Sequence, residues 1–148
     1  MNYINKMHLE IPALSINESF ARGVVGAFCV SINPTLEQIN DLKTAVSEAI
    51  TNCVVHGYKD CKGDIFLDAT LFEDRVEITI QDFGVGIDDV QKAMQPFFTT
   101  KPDEERSGMG FTVMQAFMDN VELLSQVGKG TKLTMTKYFA KKGATVDA

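Results

Sequence analysis

The alternation of hydrophobic and polar positions predicts five strands. Apolar side chains occupy every second position in residues 7–11, as on one face of a half-buried strand. Two further alternating runs, residues 65–71 and 76–80, are separated by a short Glu-Asp turn. Residues 121–125 and 131–138 have the pattern of a closing hairpin around a glycine-containing turn.

Two helices are predicted between the first and second strands. Ser15 and Glu18 have capping-box spacing, so the first helix should run over about residues 17–31. Thr35, with Gln38 three residues later, should open the second helix in the same way. Its apolar residues recur at helical spacing: Ile39, Leu42, Val46, Ala49 and Cys53.

A long glycine-punctuated stretch separates the third strand from the closing hairpin. It runs from Asp82 to about Gly110 and contains a short helix near residues 88–94. A loop of this length in a compact domain is usually functional or mobile. A further helix is expected over residues 110–120. One sheet with its helices on one face satisfies this order, which predicts an α/β sandwich in a single domain of residues 1–148.

Composition and charge exclude several classes of protein. The chain has 148 residues, of which 45% are hydrophobic and 23% charged, as in globular domains. Its net charge of -6 disfavours non-specific nucleic-acid binding. Three cysteines without a CxxC pair argue against a disulfide framework and a zinc site. We find neither a signal peptide nor a membrane-spanning apolar run, so we expect a cytoplasmic protein without a membrane partner.

The second predicted helix has a polar stripe of Glu48, Asn52 and His56, spaced four residues apart. Each step of four turns about 400°, so the three side chains lie within about 80° of one another, beside the core face. Such a stripe is either a solvated polar edge or one wall of a cleft. Asn is a poor residue within a helix, because its side chain competes for backbone hydrogen bonds, so Asn52 mildly favours the cleft. We interpret His56 as structural.

Glycine-containing segments follow that helix. Asp82 ends a strand before Gly84 and Gly86, and its carboxylate can accept from an exocyclic amine, although a simple acidic turn has the same composition. Gly108 and Gly110 open a helix, whose free N–H groups suit phosphate, although this could be only a helix entry in a flexible loop. Their spacing is not that of a P-loop.

Two cations and a late turn complete the candidate chemistry. Lys101 and Arg106 precede the glycine pair and could add charge-assisted contacts. The run GKGT at residues 128–131 needs no functional explanation, because a hairpin turn has the same composition and threonine is common in strands.

The order and separation of these signals resemble the GHKL superfamily of ATPases and kinases. The matching features are ExxxN on a helix, DxGxG after a strand, FTTK in a long loop, GxG at a helix start and GxGT in a late turn. They extend from about residue 43 to residue 131. The resemblance implies the two-layer Bergerat sandwich, with a mixed, mostly antiparallel sheet and helices on one face.

The resemblance is closest to the bacterial anti-sigma serine kinases. SEAITN at residues 47–52, followed by HGY, is similar to their N-box. PFFTTKP at residues 96–102 and ERSGMGF at residues 105–111 are similar to their lid and glycine motif. NESFAR at residues 17–22 is similar to the sporulation branch, whose partner is sigma-F.

This resemblance implies a role for each candidate residue. Glu48 would be the general base on an acceptor hydroxyl, and Asn52 would hold Mg²⁺ through its amide oxygen. Asp82 would bind the adenine amino group, with Gly84 and Gly86 leaving room for the base. The other implied ATP or ADP contacts are Thr99, Thr100, Lys101, Arg106, Ser107, Gly108, Met109, Gly110 and, through water, Thr131.

The resemblance also implies protein partners. The chain would inhibit a sigma factor of the sigma-F type and phosphorylate a serine on an anti-anti-sigma antagonist. Ser19 and Arg22 would contact both partners from an N-terminal segment of about residues 1–33. An ATP lid would span about residues 95–107, and the family forms homodimers.

Other functions remain open at this point. A nucleotide-sensing sigma-binding module without significant kinase activity would not need Glu48 one turn from the metal ligand. A kinase of the general-stress branch is a further alternative, although residues 17–22 favour the sporulation branch. The ATP domain of a histidine kinase, chaperone or topoisomerase is disfavoured, because 148 residues leave no space for a histidine-bearing helical segment or a transducer domain.

Overall fold

The computed structural model describes residues 2–59, 61–95 and 110–139. Within these residues five strands are present, each at a predicted place: β1 (Asn5–Pro12), β2 (Asp64–Leu71), β3 (Arg75–Asp82), β4 (Asn120–Gln126) and β5 (Gly130–Tyr138). They form one sheet in the order β1-β2-β3-β5-β4. Each described neighbouring pair is antiparallel, so the sheet is not mixed as the resemblance implied.

The described helices are α1 (Ile16–Phe28), α2 (Leu36–Asn52), α3 (Val90–Ala93) and α4 (Gly110–Phe117). Central helix α2 packs against both α1 and α4. One face of β2 and β3 is buried, through Ile65, Leu67, Val76 and Ile78 among others, and the opposite face is more exposed. The predicted two-layer α/β sandwich is therefore confirmed, with its core between the helices and one face of the sheet.

The two predicted capping boxes have different outcomes. At α2 the box is confirmed, since the Gln38 N–H donates to Thr35 Oγ1 at 3.1 Å and the Thr35 N–H donates to Gln38 Oε1 at 2.8 Å. At α1 the box is wrong, because Ser15 is in the α region and makes no side-chain cap. The Glu18 carboxylate instead accepts a short hydrogen bond from the Ser47 hydroxyl on α2. Glu18 therefore bonds to a residue of another helix instead of capping its own helix.

Helix ends also differ from the predicted ones. Helix α1 ends at Phe28, three residues early, and a 3₁₀ turn over Val30–Ile32 follows. Helix α2 ends at Asn52, and the chain continues as one π-helical turn over Cys53–Gly57. Helix α4 ends at Phe117 rather than near residue 120. The π-helical turn matters most, because it directly follows the polar stripe of α2.

Candidate functional site

A cavity of about 580 Å³ lies between the end of α2, the loop after β3 and the β4–β5 end of the sheet. This volume is typical of a small-molecule site. Its described lining includes Asn52, Asp82, Gly86, Gly110 and Thr131, which the sequence predicted as nucleotide contacts. Residues distant in the chain therefore converge on one cavity.

Asp82 is the central polar group of this cavity. Its side chain is almost fully buried, with 3% exposed, at the end of β3. Burial raises the pKa of its carboxyl, while hydrogen bonds from the N–H of Gly84, the Cys53 side chain and the Thr131 backbone act in the opposite direction. The Gly84 N–H donates to Oδ1 at 2.9 Å. A buried carboxylate with free acceptor capacity suits an amine-bearing ligand.

Asn52 lies at the C-terminal end of α2, on the cavity wall. Its Nδ2 atom is buried and has no hydrogen-bond partner among the described residues. An unpaired buried amide is costly unless a bound group supplies the partner. This orphaned atom fits a phosphate oxygen beside Nδ2, which would leave the amide oxygen available to a cation.

Glu48 lies on α2 one turn before Asn52 and is half-buried. The described lining of the cavity includes Asn52 but not Glu48. Glu48 is therefore placed by the helix close to a residue of the cavity wall, without lining the cavity itself. The continuous helix fixes the separation of the two side chains.

Gly84 permits a close approach between two parts of the backbone. A Cβ at Gly84 would lie 2.0 Å from the carbonyl oxygen of Gly57 in the π-helical turn. The next N–H, that of Val85, donates to this same oxygen at 2.9 Å. Gly84 is therefore required for the loop after β3 to dock against the end of α2. That it also leaves room for a base stays a prediction.

Gly86 has a positive φ of 76°, and a Cβ there would lie 2.1 Å from the carbonyl oxygen of Gln126. The Gly128 N–H donates to the Val85 carbonyl at 2.8 Å. Gly86 therefore allows the loop to close against the β4–β5 turn. It also lines the cavity.

Thr131 pairs with Asp82 across β5 and β3. Its hydroxyl lies 2.8 Å from Ser125 Oγ, which also accepts from the Ile87 N–H at 2.7 Å. The Ser125 hydroxyl is 3.0 Å from the Gly130 carbonyl oxygen as well. Ser125 thus fixes the hydroxyl of Thr131 at the cavity wall, and its role was not found from the sequence.

Several predicted residues lie outside the described part of the chain. They are Thr99, Thr100, Lys101, Arg106, Ser107, Gly108 and Met109, together with most of the predicted lid. Gly110 is described, and it is buried as the first residue of α4. The predicted phosphate-binding glycine motif is therefore represented in the structure by Gly110 alone.

The cavity also contains residues that sequence reasoning did not select. Lys92 on α3 and Lys59 after the π-helical turn line it. His56, interpreted as structural, lines it too. Cys53 was assigned to the core face of α2, and it is buried at the cavity wall. Only the polar stripe of α2 carried a signal for His56, and we find no sequence signal for the two lysines.

The predicted partner residues form a small network on α1. Arg22 Nη2 donates to Ser19 Oγ at 3.1 Å, and Arg22 Nη1 lies 3.3 Å from Glu18 Oε2. Glu18 in turn accepts from Ser47, the residue before Glu48. The exposed apolar side chains of Ile16 and Phe20 lie on the same helix. Ser19 and Arg22 therefore belong to a polar surface of α1, and apolar side chains are exposed elsewhere on the same helix.

Within residues 2–59, 61–95 and 110–139, no three His, Cys, Asp or Glu side chains are grouped to hold a metal. Over the same residues, no helix has the length and apolar character needed to cross a membrane.

Comparisons with known proteins agree on one family. The family described as "Histidine kinase-like ATPase domain" matches residues 11–137. The chain is 53% identical to the anti-sigma F factor of Caldanaerobacter subterraneus, covering 95% of this chain and 99% of that protein. It is 49% identical to the anti-sigma F factor of Bacillus subtilis, covering 95% and 97%.

A solved structure has a similar fold. It contains the RsbU and RsbW domains of Rv1364c from Mycobacterium tuberculosis, and it superimposes with a TM-score of 0.65 at 20% identity. The match covers 91% of this chain and 32% of that longer chain. At this identity the likeness supports the fold alone.

Proposed function

The chain belongs to the anti-sigma F factor family of histidine kinase-like ATPase domains, and from that premise we propose that it inhibits a sigma factor of the sigma-F type and phosphorylates its antagonist. The phosphate donor is Mg-ATP, and the acceptor is a serine of an anti-anti-sigma protein. The protein acts in the cytoplasm as a homodimer, each subunit a single domain. The observation that carries the nucleotide site is the buried carboxylate of Asp82 in the cavity beside Asn52.

Asp82 accepts a hydrogen bond from the exocyclic amine of adenine. Its carboxylate is held at the end of β3 by backbone donors, so it needs no rearrangement to receive the base. The phosphates then extend towards Asn52 and Gly110. The lid over about residues 95–107 covers them, with Lys101 and Arg106 compensating charge.

Asn52 would hold Mg²⁺ through its amide oxygen, while its buried Nδ2 would donate to a phosphate oxygen. When bound, the cation neutralises charge on the phosphates. Glu48, one helical turn away, accepts the proton of the acceptor serine. The serine oxygen forms a bond to the γ-phosphorus as the bond from that phosphorus to the β,γ-bridging oxygen breaks, and ADP leaves.

Replacing Glu48 by Gln tests the kinase activity. The variant keeps the size of the side chain but cannot take up the proton, so phosphoryl transfer should fall by roughly 10²–10⁴-fold while ATP affinity stays near the wild-type value. The measurement is transfer of labelled γ-phosphate to the antagonist purified from the native cell. Glu37→Gln, an exposed change on the same helix, is the matched control.

The result also separates the two candidate functions. A transfer rate unchanged by Glu48→Gln would remove Glu48 from the mechanism. A wild-type protein that binds ATP and sigma factor without transferring phosphate would be the nucleotide-sensing module. Co-purification of the bound sigma factor would distinguish the sporulation branch from the general-stress branch.

A further inference from the structure

A tyrosine beside the cavity joins two segments that shape its adenine end. Tyr58 directly follows the π-helical turn, and its N–H donates to the Cys53 carbonyl at 2.9 Å. Among the residues that the structure describes, its neighbours Gly57 and Lys59 line the cavity, whereas Tyr58 does not. The proposed mechanism gives Tyr58 no role. Any effect of its side chain on the described cavity must therefore pass through the residues that it holds.

The Tyr58 hydroxyl makes one hydrogen bond as a donor and one as an acceptor. It donates to the main-chain oxygen of Asp64, the first residue of β2, at 2.5 Å. It accepts from the N–H of Phe83, the residue after Asp82, at 2.8 Å. A phenol has a single proton to donate, so the direction of both bonds is fixed. The hydroxyl therefore ties the loop after β3 to the start of β2.

Two further hydrogen bonds continue along the same loop. The Gly84 N–H donates to the Asp82 carboxylate at 2.9 Å. The Val85 N–H donates to the Gly57 carbonyl, also at 2.9 Å. Of three consecutive loop N–H groups, the outer two are thus bound to the segment after α2, and the middle one is bound to the carboxylate. Tyr58 supplies one of the two outer attachments.

Gly57 makes the position of this segment matter to the carboxylate. A Cβ on Gly57 would lie 2.7 Å from Asp82 Oδ2 and 2.9 Å from Asp82 Cγ, so the two backbones are already in close contact. A shift of the segment relative to the loop would press against the carboxylate or open a gap beside it. The hydroxyl of Tyr58 opposes such a shift, because it binds both the loop and β2.

We propose that Tyr58 is a positioning residue for base recognition: its hydroxyl holds the loop after β3 so that the Asp82 carboxylate faces the adenine amine. This inference rests on the proposed nucleotide site. Without the hydroxyl the loop has more conformations, and apparent affinity falls with the fraction of molecules in the competent one. The loss should be larger for a 6-amino purine than for a 6-oxo purine, because the oxo group offers the carboxylate no donor at that place.

Gly63 provides an independent way to move the tyrosine. A Cβ on Gly63 would lie 2.3 Å from Cε1 and 2.5 Å from Cζ of the Tyr58 ring. Alanine at this position must therefore displace the ring, and the hydroxyl with it. The φ of Gly63 lies outside the left-handed region, so alanine adds no backbone strain of its own. Gly63→Ala thus breaks the same link without removing the hydroxyl.

The competing explanation is that Tyr58 only stabilises the fold. Its partly buried ring packs against the hydrophobic core. A purely structural role predicts that Tyr58→Phe, which keeps the ring, either leaves nucleotide affinity unchanged or lowers it equally for every purine. Positioning predicts a loss that is specific to the 6-amino purine.

The first experiment measures ADP and inosine diphosphate affinities by calorimetry for the wild type, Tyr58→Phe, Gly63→Ala and the double variant. We expect each single variant to lose roughly threefold to tenfold in ADP affinity, and less than about twofold for inosine diphosphate. The double variant should lose no more than the weaker single one, because both changes remove one link. Tyr138→Phe removes an exposed hydroxyl at the end of β5 remote from the cavity and is the matched control.

Three results would overturn the role of Tyr58. They are wild-type ADP affinity in Tyr58→Phe, an equal loss for ADP and inosine diphosphate, and losses that add in the double variant. If Tyr58→Phe did not fold, the same comparison of the two nucleotides in Gly63→Ala would decide. If the wild type bound no ADP at all, the proposed nucleotide site would fail instead.

The second experiment tests the hydrogen bond in the nucleotide-free protein. In Tyr58→Phe the Phe83 N–H loses its acceptor and should exchange with solvent at least about tenfold faster, as measured by NMR. The Ile87 N–H, which donates to Ser125 Oγ at 2.7 Å farther along the loop, should keep its exchange rate and is the internal control. An unchanged rate at Phe83 would overturn the hold of the hydroxyl on the loop. A faster rate with normal ADP affinity would leave Tyr58 a structural role only, which would also overturn the proposal.

Discussion

The nucleotide cavity and the outer face of α1 each contain a carboxylate, and the two are held by different kinds of group. Asp82 is 3% exposed and accepts from backbone N–H groups of its own loop and the neighbouring strand. The Glu18 side chain is 27% exposed and is held by two side chains, those of Arg22 and Ser47. The cavity is thus shaped by the main chain, whereas the α1 face is shaped by groups that can rotate.

This difference has a consequence for each region. A site held by backbone donors is pre-organised, and it fails when the loops around it cannot close. A surface held by side chains can exchange its internal contacts for those of a partner, at a cost in rotamer freedom. Changes at the cavity should therefore affect folding and nucleotide together, while changes on α1 should affect partners alone.

The largest effect should come from Gly130→Ala. Gly130 has a φ of 108°, and a Cβ there would lie 2.1 Å from the main-chain oxygen of Asp82. We expect unfolding free energy to fall by at least about 3 kcal/mol, measured by urea denaturation. Gly128→Ala is the matched control, since its φ is 80° but no atom lies within 4 Å of the added Cβ. It should cost only about 1 kcal/mol. Equal costs at the two positions would contradict the backbone-contact argument.

Removing the buried carboxylate should affect ligand more than partner. Asp82→Ala should weaken ATP and ADP binding by about 1.5–3 kcal/mol, because the adenine amine loses its charged acceptor. Calorimetry measures this loss of nucleotide affinity. Titration of the same variant with sigma factor measures whether the α1 face still binds its partner. Unchanged ATP affinity would show that Asp82 does not bind the base.

Changing the α1 face should weaken the binding of protein partners and leave nucleotide affinity unchanged. Arg22→Ala should weaken sigma factor and antagonist by about 2 kcal/mol each, because a planar guanidinium suits acidic partners and interface hot spots. Its ion pair with Glu18 is largely exposed, so the fold should lose at most about 1 kcal/mol.

Two controls make the Arg22 experiment specific. Lys132→Ala removes the same charge from an exposed position on β5 and should leave both partners bound. Native affinity of Arg22→Ala for both partners would contradict a shared surface. A loss of ATP binding in this variant would contradict the independence of the two regions.

The sequence predicted those parts that local patterns encode. Alternation located all five described strands, and helical spacing placed Asn52 beside the core face of α2. Asp82 was found because it ends a strand before two glycines. Strand β3 pairs with β5, so Asp82 lies opposite Thr131, which comes 49 positions later in the chain. The resemblance to the superfamily had already assigned both residues to the nucleotide pocket.

What the sequence did not reveal depends on tertiary contacts. Glu18 has capping-box spacing, and its actual partner, Ser47, lies on another helix. Gly84 meets the carbonyl of Gly57 because the end of α2 forms a π-helical turn, a feature without a pattern in the residues. Cys53 has core spacing and yet lines the same cavity as Asp82.

The smallest expected effect is the pH dependence of stability that Asp82 causes. Burial raises the pKa of its carboxyl above the ordinary value of 3.8, so the folded protein holds this proton more tightly than the unfolded chain does. The resulting stabilisation is fully present below pH 3.8 and is lost as the pH rises through the folded pKa. In the nucleotide-free protein, the unfolding free energy of the wild type minus that of Asp82→Asn should therefore decrease over this window and then become constant.

Urea unfolding of both proteins across the pH series measures this difference in unfolding free energy, in which the contributions of the other carboxyl groups cancel. Saturating ADP should reduce the decrease, because the adenine amine favours the ionised carboxylate that the empty cavity disfavours. A difference that increases with pH would mean that the donors from Gly84, Cys53 and Thr131 outweigh burial, and Asp82 would then be ionised at no cost even before the nucleotide binds.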